Sequence, residues 1–282
     1  REMEETSSLF IYHQRLFMSK VYGEDVSFHR KAFSMRIRKI ATGGLLLALY
    51  LVTLSGCISQ VGLRRFTTPP QPALEQNEGM TVLDDGTIIY TKDRLEISLQ
   101  VLEDGFLNRQ FASASNQGAK STNPYTYGDW TPWGQEWTPS RFTVVLLKVK
   151  NYEFPKVFIN PDALTITSSN ERIYNVLDEG LLEDYFSPYL RAYAGIQRRQ
   201  FEAITDQLRR TVYPPDMVFS GQEATGYIVF PVLHKDVDSF NVNVTDMAVR
   251  FNYKGEPVET IDLEFKLERE IYLALHPREE NR

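Results

Sequence analysis

The chain has little of the chemistry on which thiol enzymes, zinc sites and disulfide frameworks depend. Its 282 residues include one cysteine and four histidines. One cysteine forms no internal disulfide, and it supplies neither a thiolate zinc cluster nor a CxxC redox pair. The HExxH, GxSxG and GxxxxGK[ST] motifs and EF-hand loops are also missing. These absences disfavour zinc proteases, hydrolases with a nucleophile elbow, P-loop nucleotide enzymes and EF-hand proteins.

Basic patches are scarce as well. From Cys57 onward, 23 Lys/Arg and 32 Asp/Glu give a formal charge near −9, and no basic run is longer than a pair of residues. A domain of this charge repels polyanions. We therefore expect no nucleic-acid partner.

Side chains suited to catalysis are few. Only His234 and His276 follow Cys57, and we interpret each as a loop or surface residue. We therefore predict no catalytic residue, no metal and no cofactor, and a protein that is not an enzyme. An enzyme whose Ser, His and Asp side chains meet only in the fold is an alternative.

Four carboxylates cluster at Asp178, Glu179, Glu183 and Asp184, beside several aromatic residues. Paired carboxylates of this kind serve glycosidases or bind calcium. Acidic residues at the start of a helix also stabilise its positive N-terminal end and keep a loop soluble. We favour the structural interpretation.

A short apolar run, Gly44 to Val52, follows the basic residues Arg36, Arg38 and Lys39. A membrane-spanning helix needs about 20 apolar residues, and this run has only about a dozen before polar residues resume. A basic flank, a short apolar stretch and then small residues are typical of a secretory signal.

The run ends in Leu54-Ser55-Gly56-Cys57, which resembles the lipobox recognised by lipoprotein signal peptidase. The resemblance implies cleavage before Cys57 and acylation of its thiol and new amino terminus. Two or three acyl chains hold a protein on a membrane far more firmly than one. We predict the precursor of a bacterial lipoprotein. Because no aspartate follows the cysteine, we expect delivery to the outer membrane in a host that has two membranes.

The chain divides into five predicted segments. A leader without an assigned role precedes Met35, the natural start of a signal of this type. The boundaries are 1–34 for this leader, 35–56 for the signal peptide, 57–80 for a lipidated tether, 81–270 for the folded domain and 271–282 for a polar tail. The proline-containing tether would span about 70 Å if fully extended, so the domain is expected to stand clear of the membrane.

The folded domain shows period-two alternation of apolar residues, which predicts eight or nine β-strands. The segments are 87–91, 95–101, 142–150, 163–167, 172–176, 225–232, 240–244, 247–253 and 261–267. Phe201, Ile204 and Leu208 recur instead at helical spacing, which predicts an amphipathic helix over about 195–212. With no βαβ rhythm, we predict a mainly β fold, an antiparallel β-sandwich with one inserted helix.

Two further stretches carry a resemblance to a family. Val149-Lys150-Asn151 and Ser220-Gly221-Gln222-Glu223, which leads through Gly226 into Tyr227-Ile228-Val229-Phe230, resemble the immunoglobulin-like domains of many secreted and lipid-anchored bacterial proteins. The resemblance covers about half of the mature chain. It implies an immunoglobulin-like sandwich that binds or supports rather than catalyses.

The most unusual local feature is an aromatic segment over residues 123–139. All three tryptophans of the chain fall within it, and its candidate recognition residues are Tyr125, Tyr127, Trp130, Trp133 and Trp137. Flat rings on a proline-stiffened loop stack on sugars or dock a partner. The alternative is a latch that buries these rings over an open end of the sandwich.

Three functional hypotheses follow from the sequence. The first is a noncatalytic binding or assembly module that holds another envelope protein. The second is carbohydrate or peptidoglycan binding through Trp130–Trp137, and the third is the enzyme already described. A flat apolar patch would favour the first, a groove lined by tryptophans the second, and a pocket joining His234 to a carboxylate and a hydroxyl the third.

Overall fold

A computed structural model describes residues 63–188 and 196–278. The predicted leader, signal peptide and Cys57 lie outside these residues. The strands are β1 Arg64–Thr67, β2 Gln71–Pro72, β3 Met80–Val82, β4 Ile88–Lys92, β5 Leu95–Leu102, β6 Thr143–Asn151, β7 Lys156–Val157, β8 Thr165–Ser168, β9 Ile173–Asn175, β10 Val218–Phe219, β11 Gln222–Phe230, β12 Ser239–Phe251, β13 Pro257–Glu268 and β14 Ile271–Ala274. The helices are α1 Asp104–Gln110, α2 Ala112–Ser115, α3 Glu179–Phe186 and α4 Ile196–Thr211.

Two five-stranded antiparallel sheets form the body of the protein. Their strand orders are β11-β6-β5-β4-β3 and β2-β13-β12-β8-β9. Buried side chains from both sheets form one core between them, with Ile97 and Leu147 from one sheet and Val242 and Phe265 from the other. The predicted mainly β fold, an antiparallel β-sandwich with an inserted helix, is therefore confirmed.

The outer face of the first sheet carries a second core. Along β6, Val145 and Leu147 point between the sheets, whereas Val144 packs against helices α3 and α4 through Leu182 and Leu208. Because successive strand residues face opposite sides, a strand buried on both faces has apolar residues at consecutive positions. This explains the continuous apolar start of the segment at 142–150.

The two stretches that resemble immunoglobulin-like domains meet in one ladder. β6 pairs with β11 from Asn151 opposite Gln222 to Thr143 opposite Phe230. The buried Asn151 amide donates to the carbonyls of Phe154 at 2.8 Å and Val218 at 2.9 Å. Its backbone carbonyl accepts the Gly221 N–H at 2.7 Å. These bonds fix the end of the ladder beside the β7–β10 ribbon.

The last two long strands depart from their predicted boundaries. Segments 240–244 and 247–253 form one strand, β12, which pairs with β13 and has a register shift between Val244 and Met247. Asp246 adopts a φ of +55°, and its N–H donates to the Asp262 carboxylate at 2.8 Å. The bulge resets the alternation, so the sequence pattern reads as two strands.

The predicted tether over 57–80 and polar tail over 271–282 need correction. In the described part of the chain, β1 pairs with β14 from Arg64 opposite Ala274 to Thr67 opposite Ile271, and β2 pairs with the end of β13. The Gln76 side chain donates to the Lys266 carbonyl at 2.7 Å and accepts the Lys266 N–H at 3.1 Å. Side-chain pairing of this kind lets a proline-containing segment join a sheet edge without a hydrophobic repeat.

Candidate recognition surface

The aromatic segment divides into a buried part and an exposed part. Tyr125 and Tyr127 are buried, with 0% and 4% of their surface exposed. Placing these two tyrosines on the recognition surface was therefore wrong. Trp133 is 73% exposed, while Trp130 and Trp137 are partly exposed.

The buried part is a latch. The Tyr125 ring lies 5.0 Å from the Tyr227 ring and 5.7 Å from the Phe111 ring, and its hydroxyl is hydrogen-bonded to Thr211 at the end of α4. These contacts join the segment to the second core, where burial of an aromatic side chain is strongly favourable. Tyr125 therefore holds the segment against β11 and the helices.

A buried asparagine organises the backbone of the latch. The Asn123 amide donates to the Ser115 hydroxyl at 2.9 Å, and its side-chain oxygen accepts the Tyr125 N–H at 2.9 Å. The Asn123 carbonyl accepts a hydrogen bond from Arg141 at 2.9 Å. A polar network this deep is stabilising only when its groups are paired, so the path of the chain here is tightly specified.

The Arg141 guanidinium is itself buried among aromatic rings. Its Cζ lies 4.2 Å from the Tyr127 ring centroid and 5.5 Å from that of Phe186. Burial raises the pKa of the nearby Asp104 to about 6, while a hydrogen bond with Ser140 and the charge of Arg141 act in the opposite direction. Nε of Arg141 has no hydrogen-bond partner among the described residues.

The exposed part is a loop that closes on itself. The Thr131 and Thr138 hydroxyls lie 3.1 Å apart, and the Gln135 N–H donates to the Pro132 carbonyl at 3.0 Å. Gly134 supplies the left-handed conformation of the turn, with φ of +77°. This loop, residues 130–138, presents Trp133 to solvent, and we call it the tryptophan loop.

Trp137 attaches the tryptophan loop to the β1–β14 ribbon. Its ring meets Phe66 edge to face at 4.9 Å, and the Arg64 guanidinium lies 4.9 Å from its centroid. On the partner strand Tyr272 stacks on Phe66 at 5.8 Å. The sequence pattern does not reveal Phe66 and Tyr272 as part of this surface, because both lie in segments predicted to be outside the domain. A four-residue strand carries too little alternation to be recognised.

A shallow pocket lies elsewhere, where β5, α1 and the β2 region meet. Its volume is about 210 Å³, and none of the tryptophans or histidines lines it. The polar lining comes from Gln71, Asp85, Gln100, Glu103 and Arg109.

The histidines have local partners. His234 Nδ1 lies 2.9 Å from the hydroxyl of the buried Tyr174, and His276 Nδ1 lies 3.5 Å from a Glu136 carboxylate oxygen on the tryptophan loop. Within residues 63–188 and 196–278, no group of three His, Cys, Asp or Glu side chains is arranged to hold a metal ion.

The acidic cluster stabilises the helices. The Asp178 side chain accepts the Leu181 N–H at 2.7 Å and caps α3. Glu179 and Glu183 each contact Arg209 of α4, both at 2.7 Å. Three of the four carboxylates therefore have structural partners that compete with a cation or a substrate.

No helix in the described ranges is both long and apolar enough to cross a bilayer. The chain matches no protein-family model and no curated protein. Its fold is similar to the crystal structure of a secreted protein from Mycobacterium tuberculosis, MPT63, at 10% sequence identity and a TM-score of 0.28. That match covers 60% of this chain and 93% of the other. Values this low support no argument about function.

Proposed function

We propose that this protein is a membrane-anchored envelope lipoprotein, a noncatalytic module that holds another envelope protein through the tryptophan loop. Lipid on Cys57 provides the anchor, and the sandwich provides a rigid support. In a host with two membranes its place is the outer membrane, since Ile58 and Ser59 follow the cysteine.

The observation that carries this proposal is the exposure of Trp133 on a loop whose base is fixed. Trp133 is 73% exposed, whereas the neighbouring Tyr127 is buried under Arg141. Aromatic residues that a rigid base presents to solvent lose little conformational entropy on binding, and tryptophan is enriched among the residues that dominate protein interfaces. The loop thus has the character of an anchor for a protein partner.

Site-specific photocrosslinking in the native envelope tests this role. A photoreactive amino acid replaces Trp133 in the lipidated protein, and Tyr253 is replaced in a matched control. Tyr253 is 93% exposed at the turn between β12 and β13. We expect one defined protein adduct from position 133 and none from position 253. Attachment of glycan instead would favour carbohydrate or peptidoglycan binding, and no adduct from position 133 would reject both.

Cys57→Ser tests the anchor separately. Acyl chains are transferred to the thiol, so the variant should remain uncleaved and should incorporate no fatty-acid analogue during metabolic labelling. Equal labelling of the variant and the wild type would refute lipidation at Cys57.

A further inference from the structure

One face of the β1–β14 ribbon carries exposed side chains. Paired residues of an antiparallel ladder share a face, and alternate residues along each strand return to it. Arg65 is opposite Leu273, so these two residues lie on one face, while Phe66 and Tyr272 lie on the other. Trp137 covers the Phe66 side.

Exposed leucines and one cation lie at the open end of this ribbon. Leu63 directly precedes β1, and Leu275 directly follows β14, beyond the last pair of the ladder, Arg64 opposite Ala274. The exposed fractions of Leu63, Leu273 and Leu275 are 60%, 64% and 47%, and Arg65 is also exposed. We call these four residues the leucine face. Exposed apolar side chains that lie together, with polar residues at their edge, mark a candidate interaction surface.

The length of chain before the ribbon restricts where this face is located. Six Cα–Cα steps separate Cys57 from Leu63. Fully extended, they reach at most about 22 Å. The predicted tether over 57–80 would have allowed about 70 Å, but residues 64–67 belong to the ribbon. A lipid on Cys57 therefore keeps the ribbon within the reach of the headgroup region.

We infer that the leucine face lies on the lipid surface that holds Cys57, with the leucines at the headgroup boundary and Arg65 against lipid phosphates. This inference rests on the proposed lipid anchor. Interfacial protein surfaces combine apolar side chains with basic ones, and anionic lipids attract basic residues close to the membrane surface. Arginine also keeps its charged end among headgroups while its aliphatic stem covers apolar surface.

A single-thiol experiment in proteoliposomes tests the orientation. Acylation consumes the Cys57 thiol, so Leu273→Cys provides the only free thiol of the full lipidated chain. A polarity-sensitive fluorophore is attached there, at position 63 in a Leu63→Cys variant, and at position 253 in a Tyr253→Cys control. Vesicles of phosphatidylcholine and phosphatidylglycerol carry a headgroup spin label as quencher. Mass spectrometry first establishes the fatty acids on Cys57 of each sample.

At positions 273 and 63 we expect roughly a twofold loss of emission with the spin-labelled lipid, because a face buried about 5–10 Å into the boundary lies within quenching range. Emission at position 253 should remain unchanged. If the protein is acylated and emission at positions 273 and 63 is not quenched, the proposed orientation is wrong and the lipid anchor still stands. The same conclusion holds whether the leucine face is then exposed to solvent or covered by a second copy of the chain. Absence of fatty acid on Cys57 would overturn both.

Discussion

The guanidinium of Arg141 lies over the ring of Tyr127, with 4.2 Å between Cζ and the ring centroid. This contact joins the start of β6 to the latch that precedes the tryptophan loop. The same cation hydrogen-bonds to the Asn123 carbonyl and lies near Asp104. The position of the exposed loop therefore depends on a buried charge at its base.

The first prediction concerns the pH dependence of that base. Burial raises the pKa of Asp104 to about 6, above its usual value of 3.8. A carboxyl group whose pKa is raised by folding binds its proton more tightly in the folded state. Ionisation of Asp104 therefore destabilises the folded protein, and the loss of stability grows as pH rises between the two pKa values and then stays constant. Asp104→Asn should therefore gain stability relative to the wild type between about pH 4 and about pH 7, by at most about 3 kcal/mol.

Denaturant unfolding at several pH values measures this difference. Asp85→Asn serves as a control of opposite sign, because hydrogen bonds from Thr87 lower the pKa of Asp85. The stability that ionised Asp85 contributes is present above the pKa of this group in the unfolded chain, and it is lost as pH falls through the pKa in the folded state. A pH-independent difference between Asp104→Asn and the wild type would contradict the prediction.

The second prediction compares the losses of stability caused by removing three aromatic rings that differ in exposure. Trp133→Ala should change the free energy of unfolding by less than about 0.5 kcal/mol, since the ring is mostly exposed. Tyr125→Ala should cost about 3–5 kcal/mol because the ring is fully buried. Trp137→Ala should fall between them, at about 1–3 kcal/mol, through lost contact with Phe66. Equal losses for Trp133→Ala and Tyr125→Ala would show that the division into latch and loop is wrong.

The long strands could be predicted because their side chains are sorted by strict alternation. β5 and β13 bury every second residue over much of their length, and the sequence shows this directly. β1 and β14 have four residues each, and only their pairing with one another makes them strands. Such pairing joins residues about 200 positions apart, which a local pattern does not reveal.

The candidate site, too, could be predicted from the sequence only in part. Composition identified the aromatic segment, but the burial of Tyr125 and Tyr127 depends on distant partners, Thr211 and Arg141. Asn123 indicates only that the chain turns here, because an asparagine before a proline favours a turn. Whether a tryptophan faces solvent is decided by tertiary contacts such as Trp137 on Phe66, which lie outside the segment itself.

The third prediction addresses the acidic cluster. Arg209→Ala removes the shared partner of Glu179 and Glu183, and it should lower the free energy of unfolding only slightly, because ion pairs between side chains that water reaches stabilise a protein little. Addition of calcium to the wild type should leave the melting temperature unchanged. A calcium-dependent rise that disappears in Glu183→Gln would instead restore the cation-site interpretation.

The fourth prediction compares two glycines with the same backbone requirement. Gly128 has a φ of +65° and Gly134 a φ of +77°, so alanine at either position incurs about 1–2 kcal/mol of left-handed strain. At Gly128 the added Cβ would also lie 2.3 Å from the Ser115 carbonyl oxygen, whereas at Gly134 it would meet nothing within 4 Å. Gly128→Ala must therefore displace the latch, and it should cost at least about 3 kcal/mol, while Gly134→Ala should show only the strain. Equilibrium unfolding of the two variants measures both values. Because Gly134 lies in the tryptophan loop and Gly128 at its base, equal losses would mean that the base is free to relax, and the fixed support assumed for Trp133 would be lost.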